Sequence, residues 1–264
     1  MTSRPISISI VIPAYNEEAG LEPSLNSALS ALHSRGIDSY EVILVNDAST
    51  DRTGDVVDRL AAANSRIRAI HHSRNMGMGR SLLSGFEVAT KDYIGSFPAD
   101  SGLDWKGFAE MLDLVGQYDV VSYYIANPEF RTWHRRSISW SFVALLNMLF
   151  GFRLRYYNGH AIYRRDQLRD IPHTTFGHAF LAETLVRLLQ NGSTFIEIGT
   201  IQFERVHGKT KAFRVKNVIG VGLALLRHGV SRLSGPLRSS FTRPAANSPS
   251  TASSPASSPA PPAP

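Results

Sequence analysis

Residues 40–53 read YEVILVNDASTDRT. Tyr40–Asn46 is a continuous apolar-rich run, the pattern of a strand buried on both faces. The polar residues 47–51 mark a turn, and Thr53–Ala63 reads as a helix that Ser49 or Asp51 can cap. The same unit recurs on both sides. Residues 6–12, ISISIVI, are a β-branched alternating strand that Pro13 should stop. Residues 21–34 read as a helix, Ile67–His71 as a strand, and Gly77–Ala89 as a helix opened by glycines. Residues 92–97 read as a strand, Trp105–Val115 as a helix and 119–124 as a strand. This rhythm predicts an α/β fold, an open and mainly parallel Rossmann-like sheet with helices on both faces.

Beyond residue 125 the rhythm changes. A basic stretch, RTWHRR (131–136), runs into the apolar segment 137–152. A turn at Asn158-Gly159, a helix near Ala179–Gln190, strands near 194–198 and 200–206, and an amphipathic helix over Phe213–Leu233 follow. Eight of the fourteen prolines lie at or beyond Pro236, and no charge follows Arg243. The expected division is therefore a folded domain over 1–234 and a disordered Pro/Ser/Ala-rich tail over 235–264.

The 264 residues carry a formal charge of +6, which favours anionic partners. Without cysteine there is no disulfide framework, thiolate metal site or cysteine nucleophile. The N-terminus lacks a signal peptide's long apolar core. Segment 137–152 is short of the roughly 20 residues that span a bilayer. It contains no charge but follows Arg135 and Arg136, which suits a helix lying at a membrane surface.

Sheets of this type bind ligands at the carboxyl ends of their strands. There the chain has PAYNEE (13–18), NDAST (46–50) and PADSG (98–102), which set Glu17, Asp47 and Asp100 along one edge. Any one of them reads equally well as a cap or turn residue; three at strand ends point to a site. The glycines at 77 and 79 lack the spacing of a dinucleotide fingerprint. His71 and His72 read as strand-end residues, and His160 as a possible substrate contact. Positive charge without a recognition motif speaks against a nucleic-acid partner.

VIPAYNEE (11–18), VNDASTDRT (45–53) and RNMGMGRSLLSG (74–85) together resemble the successive signatures of family 2 glycosyltransferases with the GT-A fold, and in particular the dolichyl- and polyprenyl-phosphate sugar synthases. The resemblance runs from about Ile8 to Phe213. It implies that Pro13, Ala14, Tyr15, Glu17, Asp47, Asn75 and Gly77 bind the nucleotide. It also implies that Asp100 is the metal-binding catalytic aspartate, and that Arg205, Lys209 and Lys211 contact the donor phosphates. WHRRSIS (133–139) resembles a basic acceptor segment, which places Arg131, Arg135, Arg136 and Ser139 at the acceptor. Glu183, in FLAETL, matches an acidic position of the acceptor helix.

In SFPADSGLD (96–104), Pro98 stands where the family's usual D-x-D pair has its first aspartate. Asp100 alone remains, and Mg2+ or Mn2+ is the expected cofactor, because magnesium is often held by one or two carboxylates plus substrate phosphates. Asn46, Met78, Arg155 and Ala161 also depart from the family's common residues.

The expected function is inverting transfer of a sugar from a GDP- or UDP-sugar to a polyprenyl phosphate. The expected location is cytoplasmic, peripheral on the inner face of the membrane. One alternative is transfer to a hydroxyl of a glycolipid or polysaccharide, which needs a general base, with Glu183 the candidate. The other is a nucleotide-sugar-binding protein without turnover.

Overall fold

The computed structural model describes residues 5–100, 103–169, 171–177 and 179–202. The amphipathic helix expected over 213–233, the tail with its boundary at 234, and Arg205, Lys209 and Lys211 lie outside the described residues.

Seven strands form one sheet: β1 (Ser7–Ala14), β2 (Ser39–Asn46), β3 (Ile67–His71), β4 (Tyr93–Ser96), β5 (Val120–Ile125), β6 (Ile162–Arg164) and β7 (Phe195–Thr200). Their order is β3-β2-β1-β4-β6-β5-β7. All neighbours are parallel except β6, which is antiparallel to β4 and β5. The helices are α1 (Leu21–Ser34), α2 (Thr53–Ala63), α3 (Met78–Val88), α4 (Trp105–Leu112), α5 (Trp133–Phe150), α6 (Arg165–Leu168) and α7 (Phe180–Gln190). Strand order reverses between β1 and β4, so the ligand-binding crevice of an open sheet falls there.

The apolar run at 40–46 is buried on both faces, as its composition requires. Val42 and Leu44 pack into one core layer, with Ile8, Ile10 and Ile12 of β1 and the buried faces of α1, α2 and α4. Ile43 and Val45 enter the other, with Val11, Leu82 and Phe86, and Phe142, Phe180 and Leu185. Each buried Val, Leu or Ile contributes about 1.5–3 kcal/mol, and the period of two shares them between the layers.

The strands differ from expectation at three points. β1 does not stop at Pro13 but runs through it to Ala14. Val11 accepts from the Phe97 amide on the β4 side, and Pro13 faces that same side two residues on, where β4 has already turned away. Its missing N–H therefore breaks no ladder bond. β6 follows the turn expected at Asn158-Gly159, where the sequence suggests no strand, and its antiparallel course ends the parallel rhythm. The strand expected at 194–198 appears as β7 and runs on to Thr200, followed by a bridge from Gln202 to Leu103, while residues 203–206 of the second expected strand lie outside the described residues.

α3 packs on β1 through Gly85. A Cβ there would stand 2.3 Å from Val11 Cγ1, a steric overlap in a fully buried strand. Gly85→Ala is therefore expected to destabilise the protein by about 1–3 kcal/mol, despite alanine's better helix propensity. Urea unfolding checks this, and an unchanged midpoint would mean that α3 sits less tightly on β1 than described.

Candidate active site at the carboxyl edge of the sheet

The turns after β1 and β2 are laced together. Asn16 donates its amide to Ser49 Oγ at 3.0 Å and accepts from the Thr50 amide at 2.8 Å. The Glu17 amide donates to Thr53 Oγ1 at 2.8 Å, and the Arg52 amide to Glu18 Oε2 at 3.0 Å. Asp51 accepts from the Thr53 amide and hydroxyl at the start of α2, one residue ahead of the N-cap position, which Arg52 occupies without a side-chain cap. Burial works to raise its carboxyl pKa, but the hydrogen bonds from Thr53 and Glu18 outweigh it and hold the group below the usual range. Asn16 and Ala48 both adopt left-handed backbone, φ 56° and 55°. Such conformations in residues other than glycine cluster at functional sites.

Asp47 is only 3% exposed and is turned inward. It accepts from His72 Nδ1 at 2.7 Å and from the amides of Met76 and Gly77, each at 2.8 Å. Its own amide donates to the Ala14 carbonyl, and Asn75 Nδ2 reaches its carbonyl. His72 Nε2 faces Ser84 Oγ on α3 at 3.0 Å. Asp47, expected at the nucleotide, has its carboxylate turned toward protein donors. Its carboxylate ties the loop of residues 75–77 to the ends of β1 and β2, and Gly77, at φ 88°, supplies the turn into α3. Ala14, Asn75 and Gly77 thereby lie against it, Pro13 stands on the adjoining end of β1 with Glu17 in the turn that follows, and Tyr15 is exposed. His71, read as a strand-end residue, pairs with Asn46 and Asp58.

Asp100 is half-buried on the turn after β4. A Cβ on Gly20 would lie 3.1 Å from Glu17 Oε2 and 3.6 Å from Asp100 Cα, so Glu17 and Asp100 border the same small space. Among the described residues no three His, Asp or Glu side chains form a metal cage. The donors on offer are carboxylate oxygens, few in number. They fit a hard divalent ion whose remaining ligands come from phosphates and water.

Tyr123 on β5 is fully buried, and burial drives its phenol pKa well up; the charges of Asp100 and Arg131 both act on it. Arg131 donates to Gln202 Oε1 at 2.8 Å, and Gln202 Nε2 donates to Tyr123 Oη at 2.9 Å. Arg131 is thus linked by hydrogen bonds to β5, through a tyrosine that the charge of Asp100 also acts on. Tyr123 and Gln202 carry no sequence signal for this: an apolar strand and a lone amide read as core and loop. His160 Nδ1 meets Ser96 Oγ at 3.1 Å at the end of β4.

α5 carries the remaining acceptor candidates. Its apolar residues do not form one buried stripe. Only Phe142 and Leu146 are buried, while Trp133, Ile138, Trp140, Leu145, Met148 and Leu149 are exposed, Trp140 at 74% and Met148 at 75%. The apolar segment expected to lie at a membrane surface is therefore a helix that is apolar on its outer face as well. Ser139 is half-buried on the inner side, and Arg135 and Arg136 occupy the first turn. Asn147 accepts from the Leu154 amide and the Tyr157 hydroxyl, which pins the helix end to the segment carrying His160. Glu183 lies in the first turn of α7, 1% exposed and fully hydrogen-bonded.

Glu197 on β7 accepts from the amides of Arg155 and Tyr156 at 2.8 and 2.9 Å, yet burial pushes its pKa up to about 6. A raised native pKa contributes stability below pH 4.5 that is lost as pH rises through 6. Glu197→Gln does not titrate, so its stability relative to the parent should rise by about 2 kcal/mol between pH 4.5 and 7. Parallel unfolding curves at both pH values would contradict this. For Asp47→Ala, loss of the hydrogen bonds to the 75–77 loop is expected to cost about 2–3 kcal/mol of stability and to weaken nucleotide binding. Thermal unfolding and calorimetry with UDP and GDP measure the two effects separately.

Residues 9–194 match the family described as Glycosyl transferase family 2. Glycosyltransferase AglD of Haloferax volcanii is 30% identical over 235 residues, 86% of this chain and 37% of that protein. An undecaprenyl-phosphate 4-deoxy-4-formamido-L-arabinose transferase of Aeromonas hydrophila is 29% identical, over 77% of this chain and 62% of that protein. An undecaprenyl-phosphate mannosyltransferase of Micrococcus luteus is 26% identical, over 76% of this chain and 85% of its own. The chain thus spans between about a third and two thirds of the length of the first two relatives. Glucosyl-3-phosphoglycerate synthase from Mycobacterium tuberculosis, solved with Mn2+ and UDP-glucose, superposes with a TM-score of 0.62 at 19% identity, covering 88% of this chain and 81% of that one. The same enzyme with Mg2+ and UDP gives 0.62 at 18% identity, covering 83% and 79%. The shared fold is GT-A, and with the family match reaching from β1 to the end of α7, the chain belongs to glycosyl transferase family 2.

Proposed function

We propose that the chain transfers a sugar, with inversion, from a nucleotide-diphospho-sugar to a polyprenyl phosphate, and that it does so as a peripheral protein on the cytoplasmic face of a membrane. The observation that carries this reading is α5. Its cationic first turn begins two residues after Arg131, which is linked through Gln202 to Tyr123, a phenol that the charge of Asp100 also acts on, and its tryptophans are exposed. No described helix is long and apolar enough to cross a membrane. Exposed Trp, Leu and Met below basic residues suit a helix bedded in the interface. Relatives named as undecaprenyl-phosphate transferases support the same acceptor class.

The donor would lie over the ends of β1, β2 and β4, its nucleoside against residues 13–17 and 75–77. Asp100, bordered by Glu17, would hold a Mg2+ or Mn2+ ion. Such an ion supplies charge stabilisation for the leaving diphosphate. Arg131, Arg135 and Arg136 would hold the acceptor phosphate, with Ser139 nearby. A phosphomonoester with a second pKa near 6 is largely ionised at neutral pH and is nucleophilic without a base. Transfer to a hydroxyl does need one, and Glu183, the candidate for it, has its oxygens committed to other donors.

The test is transfer from UDP- and GDP-sugars to undecaprenyl phosphate in liposomes containing anionic lipid. Asp100→Ala should lower the rate by about 10²-fold or more while leaving the fold intact, because several kcal/mol of charge stabilisation are lost. Arg135→Ala with Arg136→Ala should spare nucleotide binding but reduce liposome association and transfer, since each cation near anionic lipid contributes about 1 kcal/mol. Transfer only to a water-soluble hydroxyl acceptor would overturn the reading.

A further inference from the structure

Glu183 receives more donors than a carboxylate has free positions. Oε1 accepts from Thr174 Oγ1 at 2.6 Å and from Arg187 Nε and a terminal guanidinium nitrogen at 2.9 and 2.8 Å. Oε2 accepts from the Thr175 hydroxyl at 2.7 Å and its amide at 2.9 Å. The Thr174 amide is shared between them, at 3.1 and 3.2 Å. A carboxylate has about four lone-pair positions, and none of them is left for a proton from substrate. Burial works to raise its pKa, but the hydrogen bonds from Thr174, Thr175 and Arg187 prevail and hold it below the usual range. A base with a depressed pKa is a weak one at neutral pH.

What Glu183 grips is the stretch 171–177 that precedes α7, and that stretch presses on the nucleotide side of the site. A Cβ on Gly79 would stand 2.6 Å from the Phe176 carbonyl oxygen, and one on Gly77 3.2 Å from it. Only glycines let the two loops approach so closely. Between them opens a groove of about 400 Å³ lined by Arg74, Asn75, Met76, Arg80 and Phe176, with the Arg80 guanidinium 5.8 Å from the Phe176 ring centre.

We infer that Glu183 is a positioning residue: by holding Thr174 and Thr175 it sets Phe176 against the start of α3 and so fixes one wall of the donor site. It rests on the glycosyltransferase reading for its kinetic arm alone. Glu183 exchanges no proton with substrate, and its effect on the reaction passes through the two threonines.

The experiment compares Glu183→Gln with the double variants Thr174→Val/Thr175→Val and Thr174→Ser/Thr175→Ser in the full chain. Hydrogen exchange is followed at 171–177 and 75–80, and binding of UDP and GDP by calorimetry. Kinetics use UDP-glucose and GDP-mannose with undecaprenyl phosphate. Glu183→Gln and the valine pair should each speed exchange in both loops and weaken nucleotide binding about tenfold. They should raise KM for the donor more than they lower kcat and leave the pH–rate profile unshifted. The serine pair, which keeps both hydroxyls, should restore parental values. The inference is overturned if Glu183→Gln lowers kcat by about 10³-fold with KM unchanged and the valine pair behaves as the parent, the signature of a general base. It is equally overturned if exchange at 75–80 is untouched by the valine pair. Should the parent bind neither nucleotide, the glycosyltransferase reading fails, and the exchange data still decide whether the loops are coupled. Should Glu183→Gln fail to fold, the threonine variants, altered at exposed or half-buried positions, decide it alone.

Discussion

The hydrogen-bonded seam between the turns after β1 and β2 is the constraint on which the rest of the site depends. Parallel strands end together, and their last amides and carbonyls face a crevice with no further strand to pair them. Here the Asn16, Glu17, Thr50 and Arg52 amides find side-chain oxygens on the opposite turn. The left-handed residues Asn16 and Ala48 are the local strain that this pairing holds in place, about 1–2 kcal/mol each for a residue with a Cβ. A turn committed in this way is shaped in advance, so a ligand at this edge would bind with less ordering cost.

Two buried carboxylates extend that rigidity outward. Asp47 carries it from β2 to the loop before α3, and Glu183 from α7 to the loop that meets α3 from the other side. Removing a charge from water costs several kcal/mol unless donors replace the solvent shell, and both groups have such donors in full. The backbone amides among them matter most. They fix the loop itself rather than a side chain, and Gly77 and Gly79 let the two loops touch.

The layered fold was legible because burial on both sheet faces demands runs such as Tyr40–Asn46, and the strand-to-helix alternation leaves few topologies open. β6 was not legible: three residues are too short for a period to register, and a strand that reverses direction obeys no rhythm. The edge of the site was legible too, since Glu17, Asp47 and Asp100 sit where open sheets bind ligands. The direction in which each carboxylate faces was not. Asp47 turned toward amides and Asp47 turned toward a ligand have the same sequence signature, because a carboxylate at a turn satisfies either. What Glu183 holds was not legible for the same reason: its partners, Thr174 and Thr175, are ordinary loop residues until the chain folds them back over α7.

These placements bear on the chemistry under the proposed reading. An enzyme acting on hydroxyl acceptors must keep one carboxylate poorly paired, because proton acceptance needs an open lone pair and a pKa near neutrality. At this site Asp47 and Glu183 are instead saturated by donors, while Asp100 and Glu17, which border the same small space, suit a divalent ion that would offset the charge of a diphosphate. An acceptor that arrives already ionised needs attraction and alignment rather than deprotonation. Arg131, bound through Gln202 to Tyr123, is a cation whose position is set by the sheet, and Arg135 and Arg136 continue the charge along a helix with an apolar outer face. A site so arranged spends its rigidity on orienting two anions toward one sugar carbon. That favours an acceptor phosphate carried on an apolar tail over a neutral sugar hydroxyl in water.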